Sequence, residues 1–150
     1  SKSTVKPQDQ LGYLLTQASF LKQRITNAAL KELDLTYAQF VILAGTYELS
    51  EEGDTVTQQT IAIERRLDKA MVSNVVKTLI EKELIIREEH PIDKRAFTLH
   101  VTPTGNEVAI RGREIAREID EEFFANVDRK ALRKILTLLL TNDSTDNVKQ

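Results

Sequence analysis

The 150-residue chain contains no cysteine. Its absence excludes disulfides, thiolate metal sites, a cysteine nucleophile and thiol-based redox sensing, and leaves histidine and carboxylates as the only strong metal ligands. Histidine is scarce as well. The two present, His90 and His100, stand neither at i, i+4 from another ligand nor within H-E-x-x-H, so no metal site and no cofactor is expected. The five glycines form no phosphate-cradling loop, and no G-x-S-x-G elbow occurs. Glu121 and Glu122 are neighbours on a predicted helix, where side chains diverge by about 100°, so they make no convergent acid pair. No catalytic residue is expected, and the chain does not read as an enzyme. Long apolar runs are also missing. Ile135-Leu136 and Leu138-Leu139-Leu140 fall far short of the roughly 20 residues that span a bilayer, and Ser1-Lys2-Ser3-Thr4 leads into no apolar signal segment. A cytoplasmic location without membrane contact is the expectation. Nor does one sign of charge dominate. With 21 Lys and Arg against 23 Asp and Glu the net charge is -2, which excludes a polycation gripping nucleic acid by bulk charge. Any anion-binding surface must be local.

What the chain does have is 41% hydrophobic and 29% charged residues, enough for a soluble core in one domain over residues 1–150. After Pro7, Leu11, Leu14, Leu15, Ala18, Leu21, Ile25 and Ala29 recur at steps of three and four, predicting an amphipathic helix over about 8–33. Thr36 and Gln39 form a capping box for a second helix with Tyr37, Phe40, Val41, Ala44 and Tyr47 on one face. Thr57 caps a short third helix to about Arg66, burying Ile61 and Ala62, and Asp68 caps a fourth. In the fourth, Val72, Val75, Val76, Leu79 and Ile80 form an apolar stripe opposite Lys69, Ala70, Ser73, Asn74, Lys77 and Glu81. The period then shortens to that of strands. Leu84–Arg87 and the alternating Phe97, Leu99 and Val101 flank a loop with Pro91 and Asp93, which predicts a hairpin. Thr102-Pro103 restarts a helix of about 20 residues, and Asp128 caps a last one expected to bury Leu132, Ile135, Leu136 and Leu139. Thr141 to Gln150 reads as a polar, frayed tail.

Three helices followed by a hairpin, over about residues 35–101, make a winged helix-turn-helix. In such a module the second helix of the pair enters the major groove, which is wide enough for one helix and carries a distinguishable donor and acceptor code. On the polar face of the fourth helix, Asn74 suits a bidentate contact to adenine, and Lys69 and Lys77 suit guanine or phosphate. Ala70 and Met71 suit thymine methyls, and Ser73 suits a base or a phosphate. A polar stripe alone is most often a solvated surface. The hairpin that follows, with Lys94 and Arg95 at its tip, sets this one apart.

The stretch from Asp93 to Gly105 resembles the wing signature of the MarR (multiple antibiotic resistance regulator) family, in which D-x-R is followed by a strand and then T-x-x-G; Asp93, Arg95, Thr102 and Gly105 match. Thr57-Gln58-Gln59 before Ile61-Ala62, and Val72-Ser73 before Leu79 and Leu84, resemble the family's helix-turn-helix, so the likeness covers about residues 10–140. It implies a mainly α fold with a two-stranded wing and dimerisation helices over about 8–33 and 103–141. It also implies a homodimer, most often a repressor, on a pseudo-palindromic duplex DNA site. By that likeness Arg95 enters the minor groove beside Lys94, Asp93 orients the wing, and Gln58 and Gln59 meet backbone phosphates at a helix N-terminus. Arg66 and Glu83 stand where such sequences often carry a left-handed Gly, and Ala70 and Asn74 replace a frequent Ser and Arg. Glu88 and Glu89 would repel phosphate unless they point away from it.

The resemblance further implies a small aromatic or phenolic effector between the dimer helices and the winged module. Its candidate lining is Tyr13, Gln17, Tyr37, Phe40 and Arg111, residues that otherwise read as ordinary core. The alternative is a winged helix used only for protein contacts, which would show no salt-dependent DNA binding. The charge is uneven enough to favour DNA. Residues 65–77 hold Arg65, Arg66, Lys69 and Lys77 against Asp68 alone, a local +3 that a dimer presents twice.

Overall fold

A computed structural model of the chain describes Lys6 and residues 9–143. Helix α1 (Leu11–Ala29) runs into a 3-10 turn (Leu30–Leu33), followed by α2 (Tyr37–Glu51), α3 (Gln58–Arg65) and α4 (Lys69–Glu81). Strands β1 (Ile85–Glu89) and β2 (Phe97–Val101) form the hairpin, and α5 (Pro103–Phe123) and α6 (Arg129–Leu140) complete the fold. The expected first helix over 8–33 is thus an α-helix closed by a 3-10 turn. Gln8 and Pro7, like most of the polar tail, lie outside the described residues.

The caps form where the sequence places them, because each is a contact three residues long. Thr36 Oγ1 accepts from the Gln39 N–H while Gln39 Oε1 accepts from the Thr36 N–H, both at 3.1 Å. Thr57 shares a similar box with Thr60. The Asp68, Thr102 and Asp128 side chains accept from Met71, Gly105 and Ala131 N–H. Each such cap is worth about 1 kcal/mol.

Helix α2 is more central than its sequence pattern shows. Beyond Phe40 and Ala44 it buries Ile42, Leu43, Thr46 and Leu49 on other sides, so the predicted single face is a helix buried nearly all round. It contacts α1, α3, α4, β2 and α5 and forms the hub of the core. Val72, Val76 and Leu79 of α4 and Ile61 of α3 pack into the same cluster. The Thr46 hydroxyl, inside that cluster, donates to the Ile42 carbonyl one turn back at 2.8 Å and so leaves no unmet donor.

The last helix departs from expectation. No residue of α6 is buried, and Ile135 and Leu139, expected in the core, are about half exposed, with Leu132 and Leu136 partly covered. The apolar stripe of α1 is likewise open: Leu11, Leu14, Leu15, Leu21 and Ile25 are exposed, and Phe20 with them. Periodicity marks which face of a helix is apolar, but not whether the same chain covers it.

Among the described residues, three with side chains adopt left-handed backbone conformations: Asp34, Arg66 and Glu83, at φ 53°, 55° and 60°. Each closes a helical turn. After α4, for example, Leu84 N–H donates to the Leu79 carbonyl and Glu83 N–H to the Ile80 carbonyl, a geometry that favours Gly at position 83. The Gly that the family pattern leads one to expect at 66 and 83 is replaced, but the conformation is kept. Glu83→Gly is therefore expected to relieve a Cβ clash of about 1–2 kcal/mol against a smaller loss of backbone entropy. Thermal melting should show a Tm raised by about 2–4 °C; a lowered Tm would mean the Glu83 side chain contributes more than its backbone costs.

Candidate nucleic-acid interface

Helices α3 and α4 meet at the left-handed Arg66, whose tight turn lets Leu67 N–H reach the Ala62 carbonyl at 2.9 Å. Three fully buried residues, Val72, Val76 and Leu79, then fix the rotation of α4 about its axis. The opposite face is outward by geometry. Lys69, Ala70, Asn74 and Lys77 are exposed there and Ser73 is half-buried, whereas Met71 packs partly against the core. At the start of α3, Gln59 is exposed, Gln58 and Thr57 are partly covered, and the Thr57 hydroxyl is engaged in its cap.

The wing is anchored at its base and open at its tip. Ile85 pairs with Val101 and Glu89 with Phe97 across the antiparallel ladder, and Leu99 N–H donates to the Val56 carbonyl at 2.8 Å, tying β2 to the segment before α3. Thr102 forms a double clamp. Its hydroxyl donates to the Glu83 carbonyl at 2.7 Å and accepts from Gly105 N–H at 2.9 Å, while its own N–H donates to the Leu84 carbonyl at 3.0 Å. The T-x-x-G spacing thereby joins the end of α4 to the start of α5. At the tip, the Arg95 side chain is 94% exposed, and its Nε lies 3.5 Å from Asp93 Oδ1, which also accepts from the Arg95 N–H at 3.0 Å. Lys94 is exposed beside it.

The wing acids are partly accounted for. Glu88 Oε2 lies 3.3 Å from His100 Nε2. The Arg87 guanidinium lies 5.1 Å from the centroid of the Phe97 ring, its diagonal neighbour on the adjoining strand.

A second feature connects this module to α5 and has no short-range sequence signal. The Glu48 carboxylate of α2 bridges Arg65 of α3 and Arg113 of α5, the latter at 3.1 Å, and Arg113 also lies over the Tyr47 ring. These partners are 17 and 65 positions apart. They line a cleft of about 320 Å³ with Phe40, Ala44, Ala116 and Arg117. Of the five residues proposed from sequence to line an effector site, only Phe40 lies in this cleft. Tyr13 and Gln17 are exposed on α1, the Tyr37 N–H donates to Asn27 Oδ1, and Arg111 pairs with Glu114 and Glu32. Among the described residues, no group of three or more metal-ligating side chains converges, and no helix is long and apolar enough to cross a membrane.

Comparison with known proteins matches this arrangement. The MarR family model matches residues 35–97, from the residue before the α2 cap to the first residue of β2. The uncharacterized HTH-type transcriptional regulator YdcH of Bacillus subtilis (strain 168) is 40% identical over 124 residues, covering 83% of this chain and 84% of that protein. Among solved structures, a Staphylococcus aureus MepR–DNA complex superimposes with a TM-score of 0.79 at 21% identity, covering 91% of this chain and 99% of that one. BpsR of Bordetella bronchiseptica, whose DNA binding is regulated by 6-hydroxynicotinic acid, gives 0.80 at 22% identity, covering 95% and 99%. At those identities the two structures establish the mainly helical winged fold, while the identity and coverage of the Bacillus relative establish kinship. The chain belongs to the MarR family: it is a DNA-binding, winged helix-turn-helix transcriptional regulator and not an enzyme.

Proposed function

We propose that the chain acts as a homodimeric repressor on a pseudo-palindromic operator, reading each half-site with the outward face of α4 and the tip of the wing. The observation that carries this reading is the pairing on one module of an exposed Lys69-Ala70-Asn74-Lys77 face with an exposed Arg95 guanidinium. Asn74 supplies a donor and acceptor for a base edge, and Lys69, Ser73 and Lys77 supply groups for guanine or phosphate. Ala70 and Met71 present carbon to a thymine methyl, although the packing of Met71 against the core shortens its reach. Thr57, Gln58 and Gln59 offer an α-helix start to a backbone phosphate. Arg95, oriented by Asp93 and flanked by Lys94, suits the narrow and electronegative minor groove of A·T-rich flanks.

The dimer reading, with α1, α5 and α6 as its helices, rests on the two open apolar stripes and on a groove of about 420 Å³ between α5 and α6 lined by Phe124, Leu132, Leu136 and Leu140. A release mechanism by a small aromatic anion is supported by the α2–α5 cleft, where apolar walls from Phe40 and Ala44 adjoin the Arg65 and Arg113 guanidinium groups. A carboxylate there would compete with Glu48 for the arginines that link α3 to α5.

Binding of the DNA upstream of its own gene, measured at two salt concentrations, tests the whole reading. Affinity should fall steeply with salt, because each neutralised phosphate releases a counterion. Asn74→Ala and Lys77→Ala should each weaken binding, by roughly 1–3 kcal/mol for a base-reading contact. Parental affinity in both variants would remove α4 as the reader.

A further inference from the structure

The wing tip, residues 90–96, has no regular secondary structure, and Pro91 within it carries no N–H. The loop is held by two side chains acting in sequence. His90 Nδ1 accepts from the backbone N–H groups of both Ile92, at 3.1 Å, and Asp93, at 3.0 Å. Asp93 Oδ1 then accepts from the Arg95 N–H at 3.0 Å, and the Asp93 carbonyl accepts from the Ala96 N–H at 3.1 Å. The His90 N–H closes the loop by donating to the Ala96 carbonyl at 3.3 Å. An Asn or Asp side chain accepts from amides further along its own turn in the same manner, so His90 stands in for an Asx residue.

We infer that His90 is a positioning residue for DNA recognition, whose neutral imidazole sets the loop that presents Arg95, so that uptake of a proton by His90 weakens DNA binding. The inference rests on the reading of Arg95 as a DNA contact. Two backbone N–H groups converge on one ring nitrogen, which therefore must carry a lone pair and not a hydrogen. Protonation would set a donor against two donors and remove both bonds. The Asp93 backbone would then lose its amide partner, and the Asp93 carboxylate that orients Arg95 would move with it.

The sign of the effect is diagnostic. An added positive charge near phosphate, taken alone, tightens DNA binding. Loss of the loop geometry loosens it. The other ionisable groups of the wing are Arg87, Glu88 and Glu89 on β1, Asp93, Lys94 and Arg95 in the loop, and His100 on β2. His100 Nε2 lies 3.3 Å from Glu88 Oε2 and 2.9 Å from Thr98 Oγ1, so its partners are distinct from the two amides that His90 holds.

The test uses the whole chain and a fluorescein-labelled duplex from the region upstream of its own gene, titrated between about pH 8 and pH 5. Parental affinity should fall about fivefold or more toward the acid end, the equivalent of losing two modest hydrogen bonds. His90→Asn keeps an acceptor that does not titrate; it should bind within about twofold of the parent at the alkaline end and lose the acid-side decline. His90→Ala should be weak at both ends. In the protein without DNA, the amide resonances of Ile92 and Asp93 should move with acid in the parent and stay in place in His90→Asn. Binding that tightens with acid to the same extent in the parent and in His90→Asn would overturn the inference, as would Ile92 and Asp93 amides indifferent to the titration of His90. If no duplex is bound at any pH, the DNA-contact reading fails separately, and the amide titration still decides whether His90 holds the loop.

Discussion

Gly105→Ala is expected to lower stability by about 3 kcal/mol or more, the upper range for adding one methyl group to a packed site. A Cβ at this position would stand 2.0 Å from the Leu84 carbonyl oxygen, 2.9 Å from its carbon and 2.7 Å from Val101 Cγ1. Two of those atoms are backbone, in a segment that cannot yield independently: the Leu84 carbonyl accepts from Thr102 N–H, and the Glu83 carbonyl beside it accepts from the Thr102 hydroxyl. Relief requires moving the first turn of α5 off the end of α4, which breaks the Thr102 clamp as well. Gly112 provides the comparison. A Cβ there would meet the Phe40 ring at 2.8 Å, but a ring edge can tilt, so Gly112→Ala should cost distinctly less. For a chain of this size, 3 kcal/mol corresponds to a Tm lowered by about 6–12 °C in thermal melting. A change under about 2 °C would show that the joint between α4 and α5 is soft. Because that joint sets α4, the proposed reader, relative to α5, a proposed dimer helix, DNA affinity should fall even at temperatures where the variant remains folded.

On the proposed dimer, the double substitution Ile135→Glu with Leu139→Glu is expected to leave single chains. The two residues lie one turn apart on α6 and are 56% and 47% exposed, so neither supports the core of its own chain. If α6 forms the dimer contact, each is buried there, at about 1.5–3 kcal/mol of hydrophobic stabilisation per side chain. Two-fold symmetry doubles every change, placing four carboxylates in the interface. Light scattering at micromolar concentration should give twice the 17.0 kDa chain mass for the parent and the chain mass for the variant, with helical circular dichroism retained. Operator affinity should fall by roughly 10²-fold or more, because the second half-site is no longer bound by a tethered module. A variant that stays dimeric would exclude this face of α6 from the interface, and a parent that runs as a single chain would exclude the dimer itself.

These two experiments probe features that differ in how legible they were. The clamp was visible as a motif: Thr102 as N-cap, Pro103 at the first helical position and Gly105 three residues after the cap all follow from local rules. Its purpose was not visible, since the partners of Thr102 and Gly105 are backbone atoms at Glu83 and Leu84, nearly 20 positions away. The open faces of α1 and α6 were legible as apolar stripes and illegible as exposed ones. Similarly, Glu48, Arg65 and Arg113 carry no pattern along the chain, yet one carboxylate brings them together. The sequence places His90 only beside Pro91, between the two strands; its grip on two amides depends on a loop path that Pro91 and the hairpin register decide together.

From its sequence alone this chain determined the caps, the order of elements and the outward face of α4, since these depend on contacts within four residues and on a period that the buried Val72, Val76 and Leu79 enforce. The net charge of -2 is likewise a property of the sequence, and it confines any basic surface to a local patch. Tertiary structure decided what is covered and what is joined. It made α2 the buried hub, left α1 and α6 with uncovered apolar faces, joined the end of α4 to the start of α5 through the Thr102 clamp, and placed an imidazole where two amides needed an acceptor. Such outcomes depend on which distant segments meet, and a meeting between distant segments leaves no periodic trace in the residues that make it.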